Sequence, residues 1–195
     1  MPFWSQPFDA DTTLKDPKRK FRFTVQFQGI GGNAQGGALL WYAKQCKKPS
    51  FTIQETEHKY LNHSFYYPSS LKWETIDITV VDPVDPDVAA TVSDIVVQSG
   101  YAPPTDPNSL STMSKAKGVG ALGTVLITQI DADGNPLEKW TLWNAWIKQV
   151  QYGDLAYGDD ELTELTITLI YDWARLDTTN DSSALAGGGK EFFKI

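Results

Sequence analysis

Few side chains in this sequence are suited to metal-binding or nucleophilic chemistry: the chain has two histidines and one cysteine. His58 and His63 stand five residues apart with no cysteine and no third ligand near them, a spacing that does not match a zinc site. Nothing beside Cys46 in the sequence would lower the pKa of its thiol, so we expect a structural residue and not a nucleophile. No serine stands in a Gly-x-Ser-x-Gly pattern. The sequence therefore predicts no enzyme, no metal site and no cofactor.

Two short stretches look like ligand-binding motifs, but each stands in the wrong context. Residues 118–123, GVGALG, match Gly-x-Gly-x-x-Gly, yet they follow a predicted loop and precede a predicted strand, whereas a dinucleotide site needs the strand first and a helix after it. Residues 131–136, DADGNP, begin like a calcium loop, but the glycine is fourth instead of sixth and the twelfth residue is Leu142. We interpret the first stretch as a chance match and the second as a hairpin turn.

Tryptophans and carboxylates offer two further possibilities. Trp140, Trp143 and Trp146 lie in one predicted strand, where alternation puts the first and last on one face and the middle one on the other. A stacking platform for sugars or bases needs aligned exposed rings, so we expect core or subunit contacts instead. Carboxylates that meet only in the folded chain are not visible in the sequence. A charged run that is typical of a solvated turn comprises Asp159, Asp160 and Glu161.

The composition is that of an ordinary globular chain. It has 195 residues, of which 41% are hydrophobic and 21% charged, enough for one domain with a core. No apolar run reaches about eighteen residues and the N-terminus lacks the order of a secretion signal, so no membrane span is expected. A single cysteine excludes an intramolecular disulfide and suggests a reducing compartment.

The net charge of -7 is unevenly distributed along the chain. Residues 1–50 carry 8 basic and 3 acidic side chains, whereas residues 51–100 carry 2 basic and 8 acidic ones. This distribution is typical of a solvated acidic surface with a basic N-terminal arm. It is also typical of two faces of opposite sign, which would favour head-to-tail self-association. The body of the chain has no cluster of lysines and arginines, so tight nucleic-acid binding is not predicted.

Hydrophobic periodicity predicts a mainly β chain with about seven strands and one helix, which favours an antiparallel sandwich or barrel. One strand alternates through Ile76, Ile78 and Val80, whose side chains should point inward. In the last strand, one face should carry Leu165, Ile167, Leu169, Tyr171 and Trp173. The predicted strands are 21–28, 38–48, 51–57, one that begins near Phe65, 124–130, 137–150 and 161–176.

One helix is predicted near the middle of the chain. Asp85 is suited to cap it, Pro86 fits its first turn, and a stripe from Val88 to Val96 recurs at helical spacing until Gly100 stops it. Residues 101–123 have turn-forming composition without periodicity and predict a long surface loop. The predicted organisation is an N-terminal arm at 1–20, a β domain at 21–176 that includes this loop, and a C-terminal tail at 177–195.

The stretch from Gly134 to Leu169 resembles the C-terminal half of tail tube proteins from contractile phages and phage-like injection particles. The pattern is a Gly turn, a strand with a tryptophan, an Asn-Ala-Trp triplet, a leucine about nine residues later, and a glutamate before an alternating strand. The strand at 21–30, and residues 65–83 followed by a helix, match that family in order. The positions that carry the pattern are Gly134, Trp140, Asn144, Ala145, Trp146, Leu155, Glu161, Leu165 and Leu169.

This resemblance implies a structural virion protein. Such proteins form hexameric rings in which strands of adjacent subunits join into one barrel, and the rings stack into a tail tube whose lumen conducts DNA during ejection. The implied partners are further copies of the chain, the tail sheath, the baseplate and the tape measure protein. DNA would pass without specific binding, no membrane would be involved, and the tube would be assembled in the cytoplasm of the host bacterium. The long loop and the two arms are then expected to connect rings.

Three alternatives stay open from the residues. They are the ring protein of a type VI secretion system, a baseplate protein that starts the tube, and, more distantly, a carbohydrate-binding β-sandwich that uses Trp143 or Tyr152. Polar side chains of the middle strands are expected to face the lumen. The predicted lumen residues are Gln45, Glu55, Thr128 and Gln129.

Overall fold

A computed structural model describes residues 18–29, 43–85, 87–103, 105, 112–158, 160–178 and 191–193. Within them the chain forms eleven strands and two helices, so the mainly β antiparallel class is confirmed, although the prediction had about seven strands and one helix. The strands are β1 (Phe23–Phe27), β2 (Ala43–Cys46), β3 (Phe51–Tyr60), β4 (His63–Trp73), β5 (Ile76–Val81), β6 (Val125–Ile130), β7 (Pro136–Trp143), β8 (Trp146–Gln151), β9 (Glu164–Ile170), β10 (Trp173–Thr178) and β11 (Glu191–Phe192). The helices are α1 (Val88–Gln98) and α2 (Lys115–Leu122).

The strands form two sheets and a separate hairpin, and every pairing is antiparallel. Sheet A has the order β1-β6-β7-β10-β11, and sheet B has the order β2-β5-β9-β8. Strands β3 and β4 pair with each other and form the hairpin.

The core lies where the alternating strands turn their apolar sides inward. Ile76, Ile78 and Val80 of β5 are fully buried, as predicted, and they lie opposite apolar partners of β9. Val25 of β1 and Leu142 of β7 add to the same core from sheet A. Helix α1 contributes its predicted stripe, and its buried members are Val88, Val92 and Ile95.

Two predicted strands are each broken in the middle, and this corrects the sequence prediction. The segment 137–150 divides into β7 in sheet A and β8 in sheet B, and 161–176 divides into β9 in sheet B and β10 in sheet A. Each segment therefore crosses from one sheet to the other and makes a corner of the sandwich. Because the chain turns at Asp172, Trp173 does not join the buried face that ends at Tyr171.

The predicted loop at 101–123 also contains a helix that the sequence analysis missed. Helix α2 begins after Ser114, whose hydroxyl accepts a hydrogen bond from the Lys117 amide, and the glycines of GVGALG lie within it or at its end. Two glycines in eight residues lower the helix propensity and hide the pattern. Residues 104 and 106–111 of the predicted loop lie outside the described residues. Most of the predicted arm and tail also lie outside them.

Helix α1 is capped by a residue other than the predicted one. The Asp87 side chain accepts from the Ala90 amide, and Asp82 accepts from the Val88 and Ala89 amides. Asp85 is therefore not the cap, and Pro86 lies outside the described residues. Gly100, with φ of +99°, ends the helical region as predicted. Neither helix in the described part of the chain has the length and apolar character needed to cross a membrane.

Candidate self-assembly surfaces

The corner between β7 and β8 is held by the Asn-Ala-Trp triplet. Asn144 has a left-handed backbone, with φ of +54°, and its side-chain amide donates to the Asp172 carboxylate at 2.8 Å. The Asp172 amide donates to the Trp143 carbonyl at 3.1 Å, which ties the two corners together. Lys115 of α2 contacts both oxygens of Asp172 at 2.7 Å. The hydrogen bond from Lys115, and to a smaller extent the one from Asn144, lowers the pKa of Asp172.

The other residues of the family pattern fall into two groups. Ala145 is fully buried, and α2 packs beside β8, where a Cβ on Gly118 would meet the Trp146 Cβ at an ordinary contact distance of 3.4 Å. Trp140 lies partly buried against the core. Leu155 and Glu161 instead lie exposed in the connection between β8 and β9, with Leu155 88% exposed. The structure thus places Trp140, Asn144, Ala145 and Trp146 at the core and the corner. Leu155 and Glu161 lie on the surface.

A buried carboxylate that the sequence analysis did not single out joins three distant segments. Glu138 of β7 is 8% exposed and accepts from Lys18 at 2.6 Å, Lys48 at 2.8 Å and the Trp140 indole at 2.6 Å. Burial alone would raise the pKa of Glu138, but the hydrogen bonds from Lys18, Lys48 and Trp140 outweigh it and lower the pKa to about 2. An alternating strand gives no sign that one of its charged side chains turns inward.

The hairpin of β3 and β4 is much longer than the predicted strand at 51–57. Its strands have 10 and 11 residues and are joined by a short turn in which Leu61 has φ of +53°. Ile53 pairs with Leu71, but Glu55 pairs with Pro68, so β4 contains one extra residue between these pairs. Such a bulge moves the side chains beyond it to the opposite face, and this irregularity explains why the sequence showed no clean alternation.

The bulge divides the hairpin into two halves with different surroundings. In the half near the body, Trp73 and Phe51 meet at 5.3 Å between ring centroids, and Trp73 also lies 5.9 Å from Tyr171. Phe193 packs against this base, 5.4 Å from the Trp73 ring. The base of the hairpin is therefore anchored on its own subunit.

The outer half of the hairpin has one aromatic face and one charged face. Residues opposite each other share a face, so the register puts Tyr67 with Thr56, Phe65 with His58 and Tyr60 with His63. Tyr60, Phe65 and Tyr67 are 64%, 44% and 56% exposed, and all three lie on the same face of the hairpin. Soluble monomers seldom expose such a patch unless it contacts a partner. We name it the distal aromatic face, and its members are Thr56, His58, Tyr60, His63, Phe65 and Tyr67.

Sheet B has a polar outer face and two strands at its edges. Asp77 accepts from Thr168 at 2.7 Å, and the Thr79 and Thr166 hydroxyls lie 3.4 Å apart. These side chains alternate with the buried ones, so they point away from the core. Strands β2 and β8 each pair on one side within the described residues, which leaves main-chain groups at both edges of sheet B able to pair with another strand.

The predicted lumen residues do not form one surface within the subunit. Gln45 and Gln129 line the same cleft between the sheets. Thr128 lies on the other face of β6, where it pairs with Thr24 of β1 and Lys139 of β7. Glu55 lies in the hairpin, opposite Pro68. Their orientation toward a lumen stays a prediction.

The residues considered first for chemistry lie apart from one another. His58 and His63 both lie on the distal aromatic face, where His63 meets Phe65 edge-on at 4.7 Å. Burial raises the pKa of the Cys46 thiol to about 12, which disfavours the reactive thiolate. In the described ranges, no three His, Cys, Asp or Glu side chains are grouped to hold a metal ion. The DADGNP stretch is the β6–β7 turn, as predicted, with Asp131 accepting from the Asp133 and Asn135 amides.

Solved structures of contractile particles share this arrangement of sheets and helices. A chain of the anti-feeding prophage cap, which terminates the tube, is 14% identical with a TM-score of 0.62 over 87% of this chain and 96% of that chain. The chain has the fold of contractile-particle proteins. A chain of the sheath–tube complex of the extracellular contractile injection system PVC is 13% identical, with a TM-score of 0.58 over 83% and 92%. Hcp1 from Salmonella typhimurium is 9% identical, with a TM-score of 0.50 over 87% and 91%.

No family model and no curated protein sequence matches this chain. The resemblance to tail tube proteins of contractile phages and phage-like injection particles is confirmed at the level of the fold. Identities this low carry no residue roles from those proteins to this one.

Proposed function

We propose that this chain is the subunit of a tail tube, in which hexameric rings stack around a central channel. The observation that carries the proposal is the distal aromatic face, because it lies on a fold shared with proteins of tube-bearing particles and has no partner among the described residues of its own subunit. A structural role needs surfaces of this kind and needs no catalytic group.

The hairpin supplies the contact between copies. Its base is fixed on the body by Trp73 and Tyr171, so the outer half is held out as a rigid extension. The bulge turns the aromatic side chains of that half to the face opposite Phe51 and Trp73. A second copy that covers Tyr60, Phe65 and Tyr67 would remove apolar surface from water, at roughly 25 cal/mol for each Å².

Sheet B closes the ring and lines the channel. The open edges of β2 and β8 lie on opposite sides of the sheet, so pairing the β2 edge of one copy with the β8 edge of the next repeats head-to-tail until the ring closes. The polar outer face with Asp77, Thr79, Thr166 and Thr168 then faces the lumen. A neutral to acidic wall lets DNA slide, since counterion release needs clustered lysine and arginine.

The arm, the tail and the outer surface serve the remaining contacts. The N-terminal arm, the part of the predicted loop that precedes α2, and the C-terminal tail connect rings, and the sheath, the baseplate and the tape measure protein are the expected partners. The virion tail is the proposed location, after assembly in the bacterial cytoplasm. Trp143 stacks on Trp173 at 6.0 Å with 14° between the rings, which supports a role in packing more than in binding sugars.

A pair of adjacent tyrosines provides the test. Tyr67→Ser removes a ring from the distal aromatic face, while Tyr66→Ser removes a ring of 60% exposure from the opposite face. In negative-stain microscopy of purified protein, we expect long hollow tubes from the wild type and from Tyr66→Ser. Tyr67→Ser should give monomers with an unchanged circular dichroism spectrum, because the face is not part of the core.

Other outcomes distinguish the alternatives. Loose rings that never stack favour a secretion-type ring protein. A single short stack of rings that forms only after a baseplate extract is added favours a tube initiator. Monomers of the wild type at high concentration contradict the proposal, and retention of such monomers on a glycan column would support the carbohydrate-binding alternative.

A further inference from the structure

The sandwich has a basic and aromatic cleft where its two sheets separate between β1 and β2. The cleft has a volume of about 710 Å³. Phe23, Ile127 and Trp140 form its apolar wall, and Ile127 is almost fully buried. Four lysines surround this wall, and the described residues that line the cleft include no carboxylate. The lysines are Lys18, Lys20, Lys44 and Lys48.

The cleft keeps its shape because Glu138 holds two of these lysines. Lys18 and Lys48 come from the segments before β1 and after β2, and both contact the same buried carboxylate. Lys44 forms an ion pair with Glu164 at the other rim. Lys20 is exposed at the entrance. The cleft is thus suited to a segment that presents apolar side chains together with negative charge.

The connection between β8 and β9 has this character. Leu155 and Tyr157 are 88% and 114% exposed, so their own subunit does not cover them. Asp154 precedes them, and Asp160 and Glu161 follow. The returning part of this connection, Asp160–Leu162, borders the start of β2 in its own subunit. The outgoing part, Asp154–Tyr157, is left without an apolar partner among the described residues.

We propose that Leu155 and Tyr157 of a second copy occupy this cleft, with Asp154 facing Lys20 at its entrance. The inference rests on the proposed ring, because it names the contact that accompanies pairing of the β2 and β8 edges. The cleft borders β2, and the outgoing part of the connection leaves from β8, the strand at the opposite edge of sheet B. Joining them between copies gives a head-to-tail contact that can close into a ring.

Charge and apolar surface both favour this occupant. The basic rim and the acidic segment attract each other over a distance set by the ionic strength. Two exposed apolar side chains leave water when they enter a pocket that already has an aromatic wall. Within the subunit, Lys18 and Lys48 are already paired with Glu138, and Lys44 is paired with Glu164. Lys20 is therefore the cleft lysine that the acidic segment approaches.

Disulfide trapping tests the contact. In a Cys46→Ser background, Lys20→Cys is combined with Leu155→Cys, and the matched control combines Lys20→Cys with Leu162→Cys on the returning part. After mild oxidation of assembled tubes, we expect the first pair to give a ladder of linked subunits on a denaturing gel and the control to give monomers. A fast-migrating monomer with an internal disulfide, or no disulfide at all, would overturn the proposal.

Charge exchange gives an independent measurement. We expect Lys20→Glu and Asp154→Lys each to raise the protein concentration needed for assembly at least tenfold, and the double variant to restore most of the loss. If tubes form normally in every variant and no ladder appears, the contact is wrong while the tube function stands. If the unmodified chain forms no rings, the proposed function itself fails.

Discussion

At the residue scale, two polar networks hold together segments that are far apart in the sequence. Glu138 links β7 to Lys18 and Lys48, at separations of 120 and 90 residues. Asp172 links the two sandwich corners to α2 through Asn144 and Lys115. Removing a partner from the buried Glu138 network costs more than removing an exposed ion pair such as Lys115–Asp172, because the groups around Glu138 stay largely out of water without a partner.

Glu138→Gln should therefore destabilise the subunit by roughly 2 kcal/mol at neutral pH. Glutamine keeps the shape but loses the charge that Lys18, Lys48 and the Trp140 indole recognise. Because the folded pKa is about 2 and the ordinary value is 4.5, the stabilisation by Glu138 is complete above pH 4.5 and is lost as the pH falls through 2. Urea unfolding at several pH values should show the gap between wild type and variant closing in that window.

Glu57→Gln is the matched control for this prediction. Glu57 faces Lys59 at 3.7 Å in an exposed pair, so its loss should change the unfolding free energy by less than about 0.5 kcal/mol. A Glu138→Gln effect that is equally small, or one that does not vary between pH 5 and 2, would contradict the role given to the buried carboxylate.

At the scale of elements, alternation in the sequence predicted the strands but not their crossings. The inward face of Ile76, Ile78 and Val80 can be predicted from the sequence alone, because apolar residues recur at every second position of a half-buried strand. The buried side changes at both corners, from Leu142 to Ala145 and from Tyr171 to Ala174, but neither corner carries a glycine or a proline. The sequence therefore reads as one strand where the molecule has two. The hairpin was predicted too short for the opposite reason, since its bulge breaks the alternation within one continuous strand.

The lumen residues were not predictable from the sequence in the same way. Which polar face of a strand meets a channel depends on the neighbouring copies, and these leave no periodic signal in one chain. Gln45 and Gln129 proved to share a cleft, and Thr128 and Glu55 lie on other surfaces. The Asn-Ala-Trp triplet was recognised by its resemblance to the family pattern. The structure adds a physical reason, because Asn144 has a left-handed backbone and Ala145 is a small buried residue.

Substitutions at Asn144 test the corner. Asn144→Gly keeps the backbone conformation but loses the hydrogen bond to Asp172, which should cost about 1 kcal/mol. Asn144→Ala loses the bond and also adds strain at φ of +54°, for a further cost of about 1 kcal/mol. Urea unfolding of the two variants should rank wild type above glycine and glycine above alanine. Equal stability of glycine and alanine would mean that the backbone conformation does not matter at this corner.

At the scale of the whole molecule, the chain carries three surfaces of different character. The hairpin extends an aromatic face from a base anchored on the body, sheet B offers two open edges, and its outer face is polar and carries carboxylates. A closed ring of such subunits uses the edges and covers the aromatic surface, which removes the aggregation hazard that both present in a lone chain. The polar face is then the surface left for the channel.

Introducing positive charge on that face tests the channel assignment. Thr166→Lys adds one cation to each subunit on the outer face of sheet B, and repetition around and along the tube would produce a continuous basic wall. Assembled tubes of this variant should retain short single-stranded DNA in a nuclease-resistant form, with a retention that falls steeply as salt rises. Wild-type tubes should retain none. Thr128→Lys on sheet A is the matched comparison, because DNA bound outside the tube is digested by the nuclease. If Thr128→Lys tubes retain nuclease-resistant DNA and Thr166→Lys tubes do not, sheet A and not sheet B surrounds the lumen.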